Sequence, residues 1–105
     1  MILPESEAGF LGWITDLADR RGYTWVHFRP ARTEHGWRTP VSGPLGRGWP
    51  DLVLVKDRVL FVEVKAADGR LRAEQADALR VLSLAGAEVH VWRPADRPII
   101  EEVLG

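Results

Sequence analysis

Three charged residues stand at one end of two apolar segments, and their types are suited to metal-dependent chemistry. In the stretch GWPDLVLVKDRVLFVEVK, residues 48–65, Asp51 precedes the first apolar segment, and Glu63 and Lys65 close the second. Buried strands seldom carry formal charges unless those charges have partners or a task. Carboxylates are hard oxygen ligands of the kind that Mg²⁺ prefers, with water and phosphate completing its coordination. The residue types therefore predict a magnesium site with a lysine beside it.

This site depends on the turn that joins the two apolar segments. If residues 56–58 form the turn, Asp51 lies opposite Glu63 on one face of the sheet, and Lys65 points to the same face. Two carboxylates that close repel each other unless one is protonated or a cation lies between them. A two-residue turn would shift the register by one and move Asp51 to the other face. The sequence Asp-Arg lacks the Gly or Asn that such a turn prefers, which favours the three-residue turn.

A cation between these carboxylates would favour hydrolysis of a phosphodiester bond. A divalent ion lowers the pKa of a bound water and neutralises the charge that grows on phosphorus. A lysine beside it can orient or deprotonate that water and stabilise the transition state. The competing interpretation is a surface ion pair at the rim of a plain hairpin, between Glu63 and either Lys65 or Arg47. An isolated E-x-K sequence on a strand would favour that interpretation.

Two residues on predicted helices face the same region. Glu7 falls on the apolar face of the first predicted helix, where a carboxylate needs a partner such as a metal cluster. Alternatively, Glu7 is a solvated acid in the first turn, near the positive end of the helix dipole. Gln75 lies on the buried face of the second predicted helix, where its amide could reach Glu63 or only cap a backbone group.

The elements that position these residues are expected in the order α-β-β-β-α-β-α. Apolar spacing predicts helices over 7–21 and 72–85 and a short last helix capped by Asp96. Predicted strands cover residues 23–29, 51–55, 59–65 and 88–92. The 71–87 crossover joins neighbouring strands in parallel, so we expect an α/β fold with a mixed four-stranded sheet flanked by helices. Residues 31–49 are predicted to be a long loop, and residues 1–105 a single domain.

The composition is that of an ordinary globular domain. Apolar residues make up 46% and charged residues 28% of the chain. The absence of cysteine excludes disulfides and thiolate metal sites. No segment approaches the ~18 apolar residues of a membrane helix, and the first residues lack the features of a signal peptide. We therefore expect a cytoplasmic protein without a membrane partner.

Positive charge is concentrated in one part of a chain whose net charge is only −1. Six arginines but a single acid, Glu34, lie between residues 20 and 47. The planar guanidinium suits phosphate oxygens, which predicts a nucleic-acid-binding surface; the alternative is a solvated arginine-rich surface. The arginines expected to hold a nucleic-acid backbone are Arg29, Arg32, Arg38 and Arg47. Such contacts give affinity without sequence preference.

Tryptophan can pack in a core or stack on nucleic-acid bases. Core or core-edge packing is predicted for Trp13, Trp25 and Trp92, because they lie on predicted helices or strands. The candidates for base stacking are the loop residues Trp37 and Trp49. The residues expected to form apolar surface are Val81, Leu84, Ile99 and Ile100. For that surface, a subunit interface and ordinary incomplete burial both remain open.

Taken in order, these motifs resemble the PD-(D/E)XK nuclease superfamily and, more narrowly, the small stand-alone VRR-NUC domains of phages and bacteria. The motifs are G-W-P-D, E-V-K, G-R-L followed by a helical Gln, and G-A-E-V-H-V-W. The opening SEAGFLGWITDLADRRGYTWVHFRPAR is similar to the first helix and strand of that family. Each motif is short, but the order and context make the set fairly specific.

The resemblance implies a restriction-endonuclease-like core and a Mg²⁺-dependent DNA endonuclease related to Holliday junction resolvases. Such an enzyme is expected to act on branched or junction DNA in repair or recombination and often to work as a homodimer. Mn²⁺ is expected to substitute for Mg²⁺. Two alternatives are a non-catalytic DNA-binding module that retains the nuclease fold and an accessory protein whose acidic pair is only salt-bridged.

The resemblance also implies a role for each residue of the site. The implied metal ligands are Asp51, Glu63 and the backbone carbonyl of Val64. The implied catalytic set is Glu7, Asp51, Glu63, Lys65 and Gln75. Within it, Lys65 is the catalytic lysine, Glu7 a helix-borne acid that meets the metal directly or through water, and Gln75 an accessory glutamine. His27 lies where such proteins often hold a polar residue near the site.

Overall fold

The described part of the chain forms three α-helices and two separate β-sheets. The structure is a computed structural model that describes residues 5–29, 31–34, 36–38 and 41–105, with the backbone alone at 31–33, 37 and 38. The helices are α1 (Glu7–Arg20), α2 (Ala73–Leu84) and α3 (Arg97–Val103). The strands are β1 (Thr24–His27), β2 (Ala31–Thr33), β3 (Gly36–Arg38), β4 (Leu52–Val55), β5 (Val59–Val64) and β6 (Glu88–Trp92). Short 3-10 turns cover Gly46–Gly48 and Pro94–Asp96.

The larger sheet has four strands in the spatial order β1-β4-β5-β6. β4 pairs antiparallel with both β1 and β5, whereas β5 and β6 run parallel. A parallel pair needs a crossover connection, and α2 provides it. The predicted α/β fold, with a mixed four-stranded sheet flanked by helices, is confirmed, and it is consistent with a restriction-endonuclease-like core.

The turn between β4 and β5 has the predicted register. Val55 pairs with Val59, so residues 56–58 form the turn, and the Lys56 N–H donates to the Arg58 carbonyl at 3.0 Å. Because side chains alternate along a strand, one face of this hairpin packs into the core. The buried residues of that face are Leu52, Leu54, Leu60, Val62 and Val64.

α1 and α3 cover this face of the sheet. α1 begins after its predicted cap, Ser6, whose hydroxyl accepts a hydrogen bond from the Gly9 N–H at 3.0 Å. It ends before Gly22, whose φ of +83° favours glycine. The residues that α1 adds to the core are Phe10, Ile14, Leu17 and Ala18. Burying a large apolar side chain of this kind contributes about 1.5–3 kcal/mol, so this layer supplies much of the stability.

Arg97 joins α3 to the start of α1. Its guanidinium lies 5.2 Å from the ring centroid of Phe10 and 4.8 Å from that of Trp13. It also donates a hydrogen bond to Glu5 at 2.6 Å, and that bond lowers the pKa of the Glu5 carboxyl. Cation–π contacts and an ion pair therefore hold the first turn of α1, which carries Glu7.

α2 packs against β6 and the 3-10 turn at Gly46–Gly48. Its buried Ala78 and Leu79 lie apart from the main core cluster. Glu63 alternates with the core residues Val62 and Val64, so its side chain lies on the opposite face of β5. α2 covers that face at the end of the sheet.

Residues 31–49, predicted to be a long loop, contain regular structure. β2 and β3 pair antiparallel, with Thr33 opposite Gly36. Gly36 has a φ of +97°, a conformation that glycine adopts without strain. The sequence gives little warning of this hairpin because no Asn-Gly or Asp-Gly dipeptide marks its turn.

Two predictions about the end of the chain are wrong. Asp96 stands before α3, but its side chain accepts a hydrogen bond from the Arg93 N–H at 2.8 Å instead of capping α3. Ile100, expected on the surface, is fully buried, because it packs into the core cluster that residues of α1 and the sheet form. The other residues of the predicted apolar surface, Val81, Leu84 and Ile99, are exposed. No helix within the described ranges is long and apolar enough to cross a membrane.

Candidate active site

Neighbouring strands bring Asp51, Glu63 and Lys65 to one end of the sheet. Asp51 directly precedes β4, and its carbonyl accepts a hydrogen bond from the Phe28 N–H at 2.8 Å. Glu63 lies within β5. Lys65 follows β5, and its N–H donates to the Trp92 carbonyl at 3.0 Å. Pairing with the neighbouring strands therefore holds the main chain of all three residues.

The side chains of Asp51 and Glu63 share one face of the sheet, as the predicted register requires. Because Leu52 pairs with Val62, the preceding residue Asp51 comes opposite Glu63. Asp51 Oδ2 accepts a hydrogen bond from the Val64 N–H at 3.1 Å, so this carboxylate reaches across to β5. Glu63 is only 1% exposed. The two acids therefore meet at the border between core and solvent.

Glu63 Oε1 has two polar neighbours. The Gln75 side-chain amide donates a hydrogen bond to it at 3.0 Å, and Lys65 Nζ lies 3.8 Å away. The ion pair between Glu63 and Lys65 that the sequence left open is thus present. It lies inside the site and not at an exposed rim, since the Lys65 side chain is 13% exposed.

Gln75 serves both of the purposes considered for it. Its Oε1 accepts a hydrogen bond from the Arg72 N–H at 2.9 Å, which caps the start of α2. That bond leaves the amide NH₂ directed to Glu63. The helix start and the acid are therefore linked through one side chain.

Gly48 allows the start of α2 to approach the end of the sheet. A Cβ at Gly48 would clash with the Glu74 carbonyl and would lie 2.8 Å from the Gln75 nitrogen. Both of these are main-chain atoms, so no side chain fits at this position. The Arg72 guanidinium adds a hydrogen bond to the Arg47 carbonyl at 3.3 Å. The turn that contains Gly48 therefore fixes the position of Gln75.

The electrostatics of the site centre on Glu63. Burial raises the pKa of Glu63 to about 9, and hydrogen bonding with Asp51 and the charge of Asp51 act in the same direction. The Lys65 ammonium opposes this shift. Two carboxyl groups this close repel each other unless one of them is protonated or a cation lies between them. The pair therefore holds a proton or needs a cation.

Glu7 and His27 border the same acids. Burial raises the pKa of Glu7, with the Asp51 charge adding to the effect and Lys65 opposing it. Burial lowers the pKa of His27, although Asp51 acts in the other direction, and Arg29 lowers it further. Glu7 is exposed, as its solvated alternative predicts, yet it lines the same cavity as Asp51 and Lys65.

The donor set fits a hard divalent cation. Glu63 Oε2 is buried and has no hydrogen-bond partner among the described residues, so one carboxylate oxygen is left for a cation to satisfy. Within the described ranges, no three acids or histidines lie close enough to form a complete metal cage. Mg²⁺ typically uses one or two carboxylates together with water and phosphate, a need that Asp51 and Glu63 meet.

A cavity of about 620 Å³ lies in front of these residues. Its volume is within the ~300–1,000 Å³ range of small-ligand sites. Its polar lining comes from Glu7, Thr15, His27, Arg29, Asp51, Glu63, Lys65, Arg72 and Gln75. The structure thus brings together the whole set of predicted catalytic side chains in one cavity.

The arginines predicted to bind DNA do not lie together in the cavity, unlike the predicted catalytic residues. Arg29 is exposed and lines the cavity, whereas Arg47 is exposed in the 3-10 turn outside it. Arg32 lies in β2 and Arg38 in β3, where only the backbone is described. Arg72, which sequence analysis did not single out, also lines the cavity.

One of the predictions about the tryptophans is wrong. Trp92 is 2% exposed and Trp13 packs against the core, as expected. Trp25, expected in the core or at its edge, is 39% exposed and lines the cavity from β1, one of the two edge strands. Trp49, a candidate for base stacking, is half-buried and meets two phenylalanine rings edge-on.

Gly48 and Arg72 are the site residues that sequence reasoning missed. Gly48 stands in the G-W-P-D motif, so a glycine two residues before the buried Pro50 was an available signal of close backbone approach. Arg72 carried no comparable signal, because its position depends on where α2 begins.

A mixed sheet with paired acids and a lysine at one end defines a PD-(D/E)XK nuclease-like domain. The family model of the VRR-NUC domain matches residues 37–96, more than half of the chain, and the protein belongs to this family. Family membership indicates a nuclease-type, DNA-processing domain. The matched segment contains Asp51, Glu63, Lys65 and Gln75, whereas Glu7 lies outside it. No curated protein and no solved structure matches the chain.

Proposed function

We propose that this VRR-NUC domain is a Mg²⁺-dependent endonuclease that hydrolyses phosphodiester bonds in branched or junction DNA. One observation carries the proposal: Glu63 is buried beside Asp51 with one oxygen unpartnered among the described residues, and Lys65 borders the same cavity. A buried acid pair of this kind destabilises a protein unless a proton or a cation compensates it.

The residues that would hold Mg²⁺ are the carboxylates of Asp51 and Glu63 and the backbone carbonyl of Val64, with Glu7 acting through water. Bound Mg²⁺ would supply Lewis-acid stabilisation of the charge that grows on the phosphate. Mn²⁺ should substitute, since it accepts the same carboxylate and carbonyl ligands.

The protein side chains have separate roles in this mechanism. Lys65, held against Glu63, orients or deprotonates the attacking water and stabilises charge in the transition state. Gln75 keeps the Glu63 carboxylate in place by donating to Oε1. The Val64 N–H fixes the Asp51 carboxylate in the same way. Hydrogen bonds of this kind, from the protein to the metal-binding carboxylates, orient the ligands and tune a metal site.

Arginines would hold the DNA backbone around this site. Arg29 lines the cavity and Arg72 joins it from the start of α2. Arg47 lies on the neighbouring turn, and Arg32 and Arg38 belong to the β2–β3 hairpin. Contacts to phosphate give affinity and position without sequence choice.

A nicking assay tests the proposal. Wild type, Lys65→Ala and Arg80→Ala are incubated with a four-way junction, a fork and linear duplex, in Mg²⁺ or EDTA. Arg80 is the matched control because it forms an exposed ion pair with Asp77 on α2, outside the cavity. We expect Mg²⁺-dependent cutting that Lys65→Ala slows by about 10²–10³-fold and Arg80→Ala leaves unchanged.

The other outcomes of this assay would contradict the proposal. DNA binding without cutting would mean a non-catalytic module that retains the nuclease fold. Neither binding nor cutting would mean an accessory protein with a salt-bridged acidic pair. Cutting that is equal on all three DNAs would leave the nuclease intact but remove the selectivity for branched DNA.

A further inference from the structure

Trp25 presents an aromatic surface to the cavity that contains the acids. It is 39% exposed, and it lines the cavity together with His27 and Arg29. These three residues alternate along and just beyond β1, so their side chains lie on one side of the outermost strand. Trp25 stands about 10 Å along the chain from Phe28, whose N–H binds the Asp51 carbonyl. The aromatic ring and the acid pair therefore line the same cavity.

The ring of Trp25 is held in place while its face stays free. Its indole N–H donates to Asp19 Oδ1 at 2.9 Å, near the end of α1. No aromatic ring or cation among the described residues lies against it, whereas Trp13 and Trp49 both have ring partners. An ordered aromatic face without a partner is suited to stacking on a flat ligand.

α1 lines the same cavity with several small residues. Ala8, Gly12 and Thr15 lie on one side of α1 and line the cavity. Glycine inside a helix weakens it relative to alanine. A Cβ at Gly12 would meet no protein atom within 4 Å, so packing inside the protein does not require glycine there. The missing side chain leaves room for something outside the protein.

We propose that this groove binds one unpaired nucleotide of the DNA substrate, with its base stacked on Trp25 and its backbone passing close to Gly12. The inference rests on the proposed function and specifies its substrate class. The faces of a paired base are covered by its neighbours in the duplex, so only an unpaired or extruded base can stack on a side chain. Arg29 and Arg72 supply the charge for the adjoining phosphates.

The groove therefore selects DNA that has an unpaired nucleotide next to the cut, such as a fork or an opened junction. His27 lines the same cavity and adds a hydrogen-bonding side chain to it. The selection is by strand structure and not by sequence, because every base has a face that can stack.

The test measures DNA affinity by fluorescence anisotropy, with Ca²⁺ in place of Mg²⁺, on a fork and on a fully paired duplex of equal length. The variants are Trp25→Ala, Trp25→Phe and Gly12→Ala. Val26→Ala is the matched control, since Val26 is 47% exposed on the opposite side of the same strand. Thermal unfolding of each variant shows whether it is folded.

We expect Trp25→Ala to weaken fork binding by roughly five- to a hundredfold and to leave duplex binding unchanged. Trp25→Phe, which keeps an aromatic face, should stay within a few-fold of wild type, and Val26→Ala should match wild type. Gly12→Ala should raise the melting temperature and yet weaken fork binding, because its methyl group strengthens the helix but occupies the groove. A merely structural role for Gly12 would not separate these two effects.

Fork binding by Trp25→Ala and Gly12→Ala at wild-type strength, or an equal loss on fork and duplex, would overturn the inference. The cleavage assay is separate from this readout. If wild type does not cut DNA but shows the expected fork pattern, the proposed function fails and the groove stands. If wild type cuts in a Lys65-dependent way and both variants bind normally, the groove inference fails alone.

Discussion

Glu63 is held in the folded protein by opposing electrostatic effects. Burial and the neighbouring Asp51 favour its protonated form, whereas Lys65 and the hydrogen bond from Gln75 favour the carboxylate. A divalent cation would favour the carboxylate much more strongly than either neighbour, since it brings two charges to the same place. The residue therefore couples metal binding to stability.

The substitution Glu63→Gln should stabilise the protein in EDTA at high pH. Burial raises the pKa of Glu63 to about 9 in the folded protein, from an ordinary value of 4.5. A raised folded pKa means that its stabilising contribution is full below 4.5 and is lost as the pH rises to about 9. Glutamine does not ionise, so the variant should gain on wild type across this range, by several degrees in melting temperature at pH 8.

The measurement is the melting temperature of wild type minus that of the variant, between pH 5 and 9 in EDTA. Taking the difference cancels groups that titrate in both proteins, such as His27. A difference that does not change with pH would contradict the assignment of Glu63 as the buried titrating acid.

Gln75→Ala should raise the Mg²⁺ concentration needed for half-maximal cleavage. The variant loses the amide that orients Glu63 Oε1, and loss of such a supporting contact typically costs about 10–100-fold in metal affinity or activity. Cleavage rates over a Mg²⁺ titration measure the shift. Glu74→Ala, at the exposed neighbouring position, is the control. An unchanged Mg²⁺ requirement in Gln75→Ala would remove this role.

At the residue scale, the sequence predicts a side-chain contact only where neighbouring residues in the chain determine it. The meeting of Asp51 and Glu63 was predictable because the residues of the turn decide the register. The roles of Gln75 were predictable only as alternatives, since its helix could approach the sheet in more than one way. The exposure of Trp25 was not predictable, because a strand pattern does not reveal which strand lies at the edge.

At the scale of elements, the site depends on how closely α2 approaches the sheet. That approach is possible because Gly48 has no side chain and the main chain of α2 lies directly against it. The hydrogen bond from Gln75 to Glu63 follows from this contact. Gly48 is therefore a positioning residue for Glu63, because it allows α2 to bring Gln75 to that acid.

Gly48→Ala should reduce both stability and cleavage. The added methyl group forces α2 away from the turn, and overpacking of this kind typically costs about 1–3 kcal/mol. Urea unfolding measures the loss of stability, and cleavage at saturating Mg²⁺ measures the displacement of Gln75. Gly46→Ala is the control in the same turn, because the closest atom to its Cβ would be a side-chain methyl of the exposed Val41, at 3.0 Å, and not a main-chain atom. Equal effects of the two substitutions would contradict the close packing.

Most elements were predictable because their end signals are strong. Ser6 and Gly22 delimit α1, and β6 occupies the predicted residues 88–92. The β2–β3 hairpin was missed because it lacks a standard turn dipeptide. The Asp96 side chain does not cap α3 because its carboxylate accepts a hydrogen bond from the Arg93 N–H, three residues earlier in the chain.

At the scale of the whole molecule, the site combines a family-matched segment with an element outside it. The match to the VRR-NUC domain covers β4, β5, α2 and β6. α1 supplies Glu7 and the Gly12 wall, and β1 supplies Trp25, both from outside the match. The proposed groove therefore depends on a part of the chain that the family match does not cover.

The proposed action on junction DNA predicts a homodimer, because resolving a symmetric junction needs two active sites. Leu84 on α2 is 76% exposed and is the best candidate for a contact between subunits. Light scattering should give twice the 11.8 kDa mass of the chain, and Leu84→Glu should reduce it to the monomer. Val59→Glu, at an exposed apolar position on β5, is the control. A strict monomer, even with junction DNA, would contradict the resolvase-like arrangement but not the nuclease.

The central claim is that the carboxylates of Asp51 and Glu63 hold one divalent ion. Crystals grown with Mn²⁺ test it most directly, because anomalous diffraction locates the metal independently of the protein. We predict an anomalous peak at bonding distance from a carboxylate oxygen of each residue, and its loss in crystals of Glu63→Gln. A wild-type structure with no peak there, in which the two acids share a proton beside Lys65, would contradict the account.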